Sequence, residues 1–228
     1  METLADHVIY FNKKLHCASK LPKGFKVLNP FRENPETMQV MQEFYRKFYN
    51  DEKQRKFIIG INPGRHGAGL TGIPFTDTKR LDKNCSIQMK SDSSYEVSSV
   101  FIYDVIKEYG GVEKFYASFY INSPFPLAIV RLNPQGKWLN ANYYDDPLLF
   151  EAVKPFMIKC LRQQIAFGLN TKKVFVLGKK NELFLSKINK EEKLFEQLVS
   201  LEHPRFIQQY KSRQREEYIQ KYLALLDA

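Results

Sequence analysis

Apolar residues recur at helical intervals at both ends of the chain and in short blocks between them. Leu4, Val8, Phe11 and Leu15 predict an opening amphipathic helix that packs on a sheet, and Met38, Met41, Phe44 and Phe48 predict a second between Pro35 and Tyr49. The run Phe57-Ile58-Ile59 then predicts a first strand over 57–61. Residues 62–92 are rich in Gly and polar side chains and read as one long loop, a length that compact domains keep for function. Ser93-x-x-Glu96 has the form of a capping box opening a helix through Tyr109, with Val97, Phe101 and Val105 on one face and Gly110-Gly111 as the stop.

Phe119-Tyr120-Ile121 predicts a second strand that delivers Asn122, Ser123 and Pro124 at its exit. A Pro- and Tyr-rich connection containing Trp138 follows. Asp146-Pro147 then supplies an N-cap and a first-turn proline to a helix carrying Leu149, Val153, Phe156, Cys160 and Leu161, with Pro155 expected to kink it. Lys173–Leu177 predicts a third strand, 181–188 a helix, and Leu198–Leu201 a fourth strand running into His203. Ile219, Tyr222, Leu223 and Leu226 mark a closing helix with Ser212 as its expected cap. This alternation implies an α/β fold with a parallel sheet, and no repeat or linker divides it.

With 228 residues and 43% hydrophobic content, the chain suffices for one well-buried core, so one domain is expected. Lys and Arg outnumber Asp and Glu by 35 to 25; the net charge of +10 favours a polyanionic partner and is silent on chemistry. Cys17, Cys85 and Cys160 are far apart and lack Cys-x-x-Cys or His neighbours, which argues against a disulfide framework, a zinc site or an iron–sulfur cluster. The acidic start Met1-Glu2-Thr3-Leu4-Ala5-Asp6 and the lack of a long apolar stretch lead us to expect a cytoplasmic protein away from membranes.

Candidate chemistry gathers at the strand exits. Gly60-Ile61-Asn62-Pro63-Gly64 sets a side-chain amide between glycines where open α/β sheets bind ligands, and Thr71-Gly72-Ile73-Pro74-Phe75 follows it. Asn62-Pro63-Gly64 alone is an ordinary turn signal. Gly67-x-Gly69-x-x-Gly72 matches the dinucleotide-binding pattern, but Pro74 follows closely and the expected helix begins far downstream, so the glycines do not turn a strand directly into a helix. No Gly-Lys-Ser/Thr ending makes a P-loop.

Taken together, these motifs resemble those of the uracil-DNA glycosylase superfamily, most closely the single-strand-selective monofunctional group and its bacterial relatives. Gly60–Gly64 has the form of the first motif, Thr71-Gly72-x-Pro74-Phe75 its continuation, Asn122 with Pro126-Leu127 the base-reading strand exit, and His203-Pro204 the start of the second motif. The chain departs from the family's Ser-Pro-Arg after His-Pro, reading Arg205-Phe206-Ile207-Gln208-Gln209-Tyr210, and has Arg65-His66 where Pro-Phe is common.

The resemblance implies a three-layer α/β/α sandwich around a four-stranded parallel sheet. It also implies a monomeric, cofactor-free and metal-free DNA glycosylase that starts base excision repair by releasing uracil from single- or double-stranded DNA. In that reading Asn62 orients water, His203 supports the departing base, Asn122 reads its edge and Phe75 stacks on it. Ile61 and Gly64 complete the base pocket, with Gly64 giving room for 5-substituted uracils such as 5-hydroxymethyluracil. Arg205, Phe206, Tyr210, Lys211, Arg213 and Arg215 are expected to hold phosphates or fill the gap, with Arg205 or Phe206 as the wedge. The alternative is a noncatalytic damaged-DNA-binding module on the same fold.

Overall fold

A computed structural model describes residues 2–90 and 93–227. In chain order the elements are α1 Leu4–Lys14, β1 Phe25–Leu28, α2 Pro30–Glu33, α3 Pro35–Phe48, β2 Lys56–Ile59, α4 Ala68–Thr71, α5 Thr78–Cys85, α6 Val97–Glu108, α7 Val112–Ser118 and β3 Phe119–Asn122. Then come β4 Ala128–Leu132, β5 Trp138–Ala141, α8 Pro147–Ile165, β6 Asn170–Leu177, α9 Lys179–Glu192, β7 Gln197–Leu201, α10 Pro204–Tyr210, a 3-10 turn Ser212–Gln214 and α11 Arg215–Asp227.

The expected parallel sheet is present, in the order β3-β2-β6-β7 between helical layers. Three of its strands are buried on both faces, as helices on either side require, with β3 buried throughout, β2 from Phe57 and β6 from Val174 to Leu177, while the edge strand β7 keeps Gln197 and Ser200 exposed. Because all four strands run the same way, Gly60, Asn122, Gly178 and His203 emerge together at one edge. Two bonds extend the pairing past the strand ends, Gly60 N–H to the Asn122 carbonyl at 2.7 Å and Gly178 N–H to the Leu201 carbonyl at 2.7 Å.

Several expectations need correction. The segment after Ser123 is not a plain connection: β4 and β5 pair antiparallel, and β1 joins them in a second sheet ordered β1-β4-β5. The loop 62–92 contains α4 and α5, the latter capped by Asp77, whose carboxylate accepts from Arg80 N–H at 2.9 Å. Ser93 and Glu96 form no capping box; Glu96 precedes α6 with its own side chain uninvolved, and Asp77 instead accepts from Glu96 N–H at 2.8 Å and Ser99 Oγ at 2.7 Å. Helix α7 was hidden behind the double glycine. The opening helix packs chiefly on α3 rather than on the sheet, tied by Leu4 N–H to Asp51 O and Ala5 N–H to Tyr49 O. Ser212 begins the 3-10 turn and caps nothing. The helix expected after Asp146-Pro147 is α8, which runs to Ile165 with Pro155 inside it.

One charge is fully buried where β2 begins. Arg55 donates to both Asp51 oxygens, to Lys53 O and, through Nε at 3.1 Å, to Tyr116 O, and it lies over the Tyr49 ring. The Asp51 carboxyl is held below its usual pKa, chiefly by hydrogen bonding to that guanidinium. A buried cation with every partner in place costs little; with its partner removed it is expensive. Asp51→Ala is therefore expected to lower unfolding free energy by about 3–5 kcal/mol in denaturant titrations at pH 7. The wild-type contribution should be present above the unfolded carboxylate pKa and fade as pH falls below it; a loss under about 0.5 kcal/mol would show that water still reaches the guanidinium.

Candidate active site

A cavity of about 440 Å³ opens at the carboxyl edge of the parallel sheet. Asn62, Ile61, Gly64, Phe75, Asn122 and His203 all line it, from three strand exits and the loop after β2. Arg205, Phe206 and Tyr210 line its mouth from α10. Lys211 and Arg213 do not reach it; they sit past the end of α10, and Arg215 is paired with Asp104 of α6. Among the described residues no cluster of His, Cys, Asp and Glu is placed to hold a metal, and no helix is long and apolar enough to cross a membrane.

The two asparagines are fixed by different means. Asn62 donates through Nδ2 to Ala141 O at 3.1 Å and Pro63 O at 3.3 Å, and its Oδ1 accepts from Tyr143 N–H at 3.1 Å. Both amide hydrogens are thus engaged, and one Oδ1 lone pair is left over. The second sheet, unseen in the sequence, supplies Ala141, and the connection just after it supplies Tyr143. Asn122 donates from Nδ2 to Tyr120 Oη at 2.6 Å and accepts at Oδ1 from Ser123 N–H at 2.9 Å. A backbone N–H can only donate, so the oxygen of Asn122 is assigned by that bond. One donor and one acceptor position of its amide remain for a ligand.

His203 caps α10: its Nδ1 accepts from Arg205 N–H at 3.1 Å, which places the proton of the neutral ring on Nε2. Burial, then the positive charge of Arg205, pulls its pKa down to about 4. The ring meets Phe75 at 5.9 Å between centroids. Space for these rings is built into the glycines: a Cβ on Gly60 would stand 3.0 Å from the Phe75 ring, and one on Gly178 3.3 Å from the His203 Cβ. Phe75 itself has φ +52°, a left-handed conformation costly for a bulky residue. The turn around it is locked by the buried Thr71 hydroxyl, which donates to Thr76 O at 2.6 Å and accepts from Ile73 N–H at 3.2 Å.

Four contributors were not among the expected site residues. Asn181, fully buried, donates to Ile59 O, Gly60 O and Leu177 O and accepts from Tyr143 Oη at 2.6 Å, joining β2, β6 and the connection after β5. The signal available was a polar residue just past a strand exit. Asn140 accepts Arg65 N–H at 3.2 Å and holds the loop after Gly64. His66 accepts from Arg65 Nε at 2.9 Å, so it orients that guanidinium. Glu96, read as a cap, lines the cavity beside Gly64 and Gly67; its Oε2 is buried without a hydrogen-bond partner, and a Cβ on Gly67 would fall 2.1 Å from it. Burial, with Asp77 adding to it against the pull of Arg205, pushes the Glu96 carboxyl up to about 7.

A layered parallel sheet with such a cavity at its carboxyl edge is the ligand-binding architecture of open α/β folds. The profile described as the Uracil DNA glycosylase superfamily matches residues 46–227, and the chain belongs to that family. It is 50% identical to wild-type SMUG2 of Pedobacter heparinus, whose crystal structure superposes with a TM-score of 0.95 over 98% of this chain and 97% of that one. The SMUG-type likeness expected from the motifs is thereby found. No curated protein matches the chain.

Since Glu96 binds its proton more tightly folded than unfolded, it weakens the fold progressively as pH rises from the ordinary carboxylate range to about 7, and the penalty is constant above that. Glu96→Gln keeps the shape without the charge. Its Tm is expected to exceed wild type at pH 8 and to match it at pH 4; equal differences at both values would mean the carboxyl is not the group responsible.

Proposed function

We propose that the protein is a monofunctional uracil-DNA glycosylase. The support that carries most weight is the convergence of Asn62, Phe75, Asn122 and His203 on one cavity with their hydrogen-bonding directions already assigned. Releasing uracil builds positive character on the sugar and negative charge on the departing base. The Nε2–H of neutral His203 donates to the base O2 and strengthens as that charge grows. Removing one such preorganised donor costs about 100- to 1000-fold in rate. Asn62, with both N–H groups engaged, acts through its remaining Oδ1 lone pair, accepting from the water that attacks the sugar carbon.

The base must leave the helix stack to be reached. Asn122 then accepts from N3–H and donates to O4, the reverse of what cytosine offers, and its bond from Ser123 prevents the amide from turning over. Phe75 stacks on the ring. Gly64 leaves space that a side chain would take, bordered by Asn140 Nδ2 and Glu96 Oε1, which suits a small polar 5-substituent such as hydroxymethyl. At the mouth Arg205 reaches phosphate, and the exposed rings of Phe206 and Tyr210, 5.6 Å apart, form the wedge that fills the vacated stack. Lys211 and Arg213 add to the field beyond them. No lysine among the motif residues is placed as an amine nucleophile, so the product is an abasic site.

Labelled oligonucleotides carrying one uracil or one 5-hydroxymethyluracil, treated with alkali after incubation, test this. Wild type is expected to create alkali-labile sites, with Asn62→Ala and His203→Ala reduced at least about 100-fold while DNA affinity is kept. Salt-sensitive binding without base release by wild type would favour the noncatalytic module instead. Separately, the His203 imidazole should titrate near pH 4 by nuclear magnetic resonance with its proton on Nε2 at pH 7. A midpoint near the ordinary histidine value would remove the neutral donor from this scheme.

A further inference from the structure

The chain's single tryptophan, Trp138, stands at the outer end of β5, beside the cavity but outside it. Cross-strand register pairs Leu132 with Trp138 and Val130 with Asn140, so alternation puts these four side chains on one face of the second sheet. The inner end of that face is the cavity wall: Asn140 lines it, and Ala128 on the same face stands 3.3 Å from where a Cβ on Gly69 would be. The outer end is open, with Trp138 38% and Leu132 42% exposed. A large aromatic left in water next to a nucleic-acid cavity needs a partner more than it needs a core.

The hairpin carrying it is stiff. Asn133 N–H donates to Lys137 O at 2.8 Å, Lys137 N–H to Asn133 Oδ1 at 2.7 Å and Gly136 N–H to Asn133 O at 3.0 Å, closing the turn. A cation is fixed alongside: Arg65 donates through Nη1 to Trp138 O at 2.7 Å and through Nε to His66. Trp138 and Asn140 are two residues apart on the strand, about 6.8 Å, which leaves the ring within reach of a nucleotide neighbouring the one at the cavity. Ring and cation together describe the arrangement by which single-stranded DNA is held, with bases on aromatic faces and phosphates on basic groups.

We propose that Trp138 is a stacking platform for the unpaired nucleobase adjacent to the one in the cavity, with Arg65 taking the intervening phosphate. The proposal rests on the cavity being the seat of the extruded base, yet its test needs no base release. It makes the second sheet a strand-guiding surface as well as a brace for Asn62.

Because Trp138 is the only tryptophan, its fluorescence reports this one position. The full chain is titrated with a single-stranded oligonucleotide holding one tetrahydrofuran abasic analogue, with binding followed independently by anisotropy of a label on the DNA. Tryptophan emission is expected to be quenched in step with binding. Trp138→Leu should bind about 5- to 150-fold more weakly, Trp138→Tyr should recover most of the loss, and Arg65→Met should lower the salt slope by about one. Binding without quenching, or Trp138→Leu binding as tightly as wild type, would overturn the proposal. Either result leaves the base-release experiment standing on its own, and should Trp138→Leu fold poorly, the wild-type quenching still decides.

Discussion

Unpaired backbone carbonyls at the carboxyl edge of the parallel sheet are the constraint on which the site depends. Where parallel strands diverge to make room for a ligand, their last carbonyls lose their partners, and an unpaired buried carbonyl costs about 1–3 kcal/mol. This chain meets the cost with asparagine amides. Asn181 covers Ile59, Gly60 and Leu177 at that edge, and Asn62 covers Ala141 at the end of β5 and Pro63 in the loop across the cleft from it. Each amide oxygen then faces the connection after β5, Asn181 accepting from Tyr143 Oη and Asn62 from Tyr143 N–H. One residue of the connection after β5 is therefore bonded twice to the exits of the main sheet. The cleft can stay open between the sheets because these bonds span it.

The same bonds set chemistry in advance. An asparagine that turns over exchanges donor for acceptor, and with it the preference between bases that present opposite edges. Ser123 N–H prevents this at Asn122, and Tyr143 N–H prevents it at Asn62. Phe75 is held in a costly conformation by Thr71, and the bare Cα of Gly60 accepts its ring. Backbone strain kept at a cavity wall by a fully bonded, buried hydroxyl is structure maintained for position rather than for stability.

The sequence carried the main sheet well, because short buried β-branched and aromatic runs between amphipathic helices have few other readings. It carried the strand exits for the same reason: Asn62, Asn122 and His203 each follow such a run directly. The second sheet was not legible. β1 and β5 are four residues each, too short for an alternating pattern to stand out, and the buried run of this sheet, Ala128–Val130, follows a proline-rich turn. Glu96 was misread because Ser-x-x-Glu is equally the wording of a cap, and only the fold reveals that Asp77 has taken that task from a distant helix. The basic carboxyl-terminal run likewise divides only in three dimensions: Arg205 reaches the cavity, whereas Arg215 is turned inward to Asp104.

Charge is distributed in a way that fits the departure of an anion. The chain is strongly basic overall, yet inside the cavity His203 is held neutral by burial and Arg205, Tyr120 beneath it has its phenol raised well above the usual range by burial, Glu96 is pushed up to about 7 and so only partly ionised, and the cation lies at the mouth, on Arg205. A fixed cation deep in the pocket would also draw in the phosphates of any strand, so that ground-state binding would rise along with transition-state binding. A neutral imidazole N–H gains most where charge is developing, and only in a site that does not already neutralise it. Long-range attraction thus falls to the surface lysines and arginines, and discrimination to dipoles in the interior. On the proposed reading, the pressure against this separation is the Glu96 carboxyl, whose Oε2 is buried without a partner and whose ionisation would place a negative charge beside the departing base.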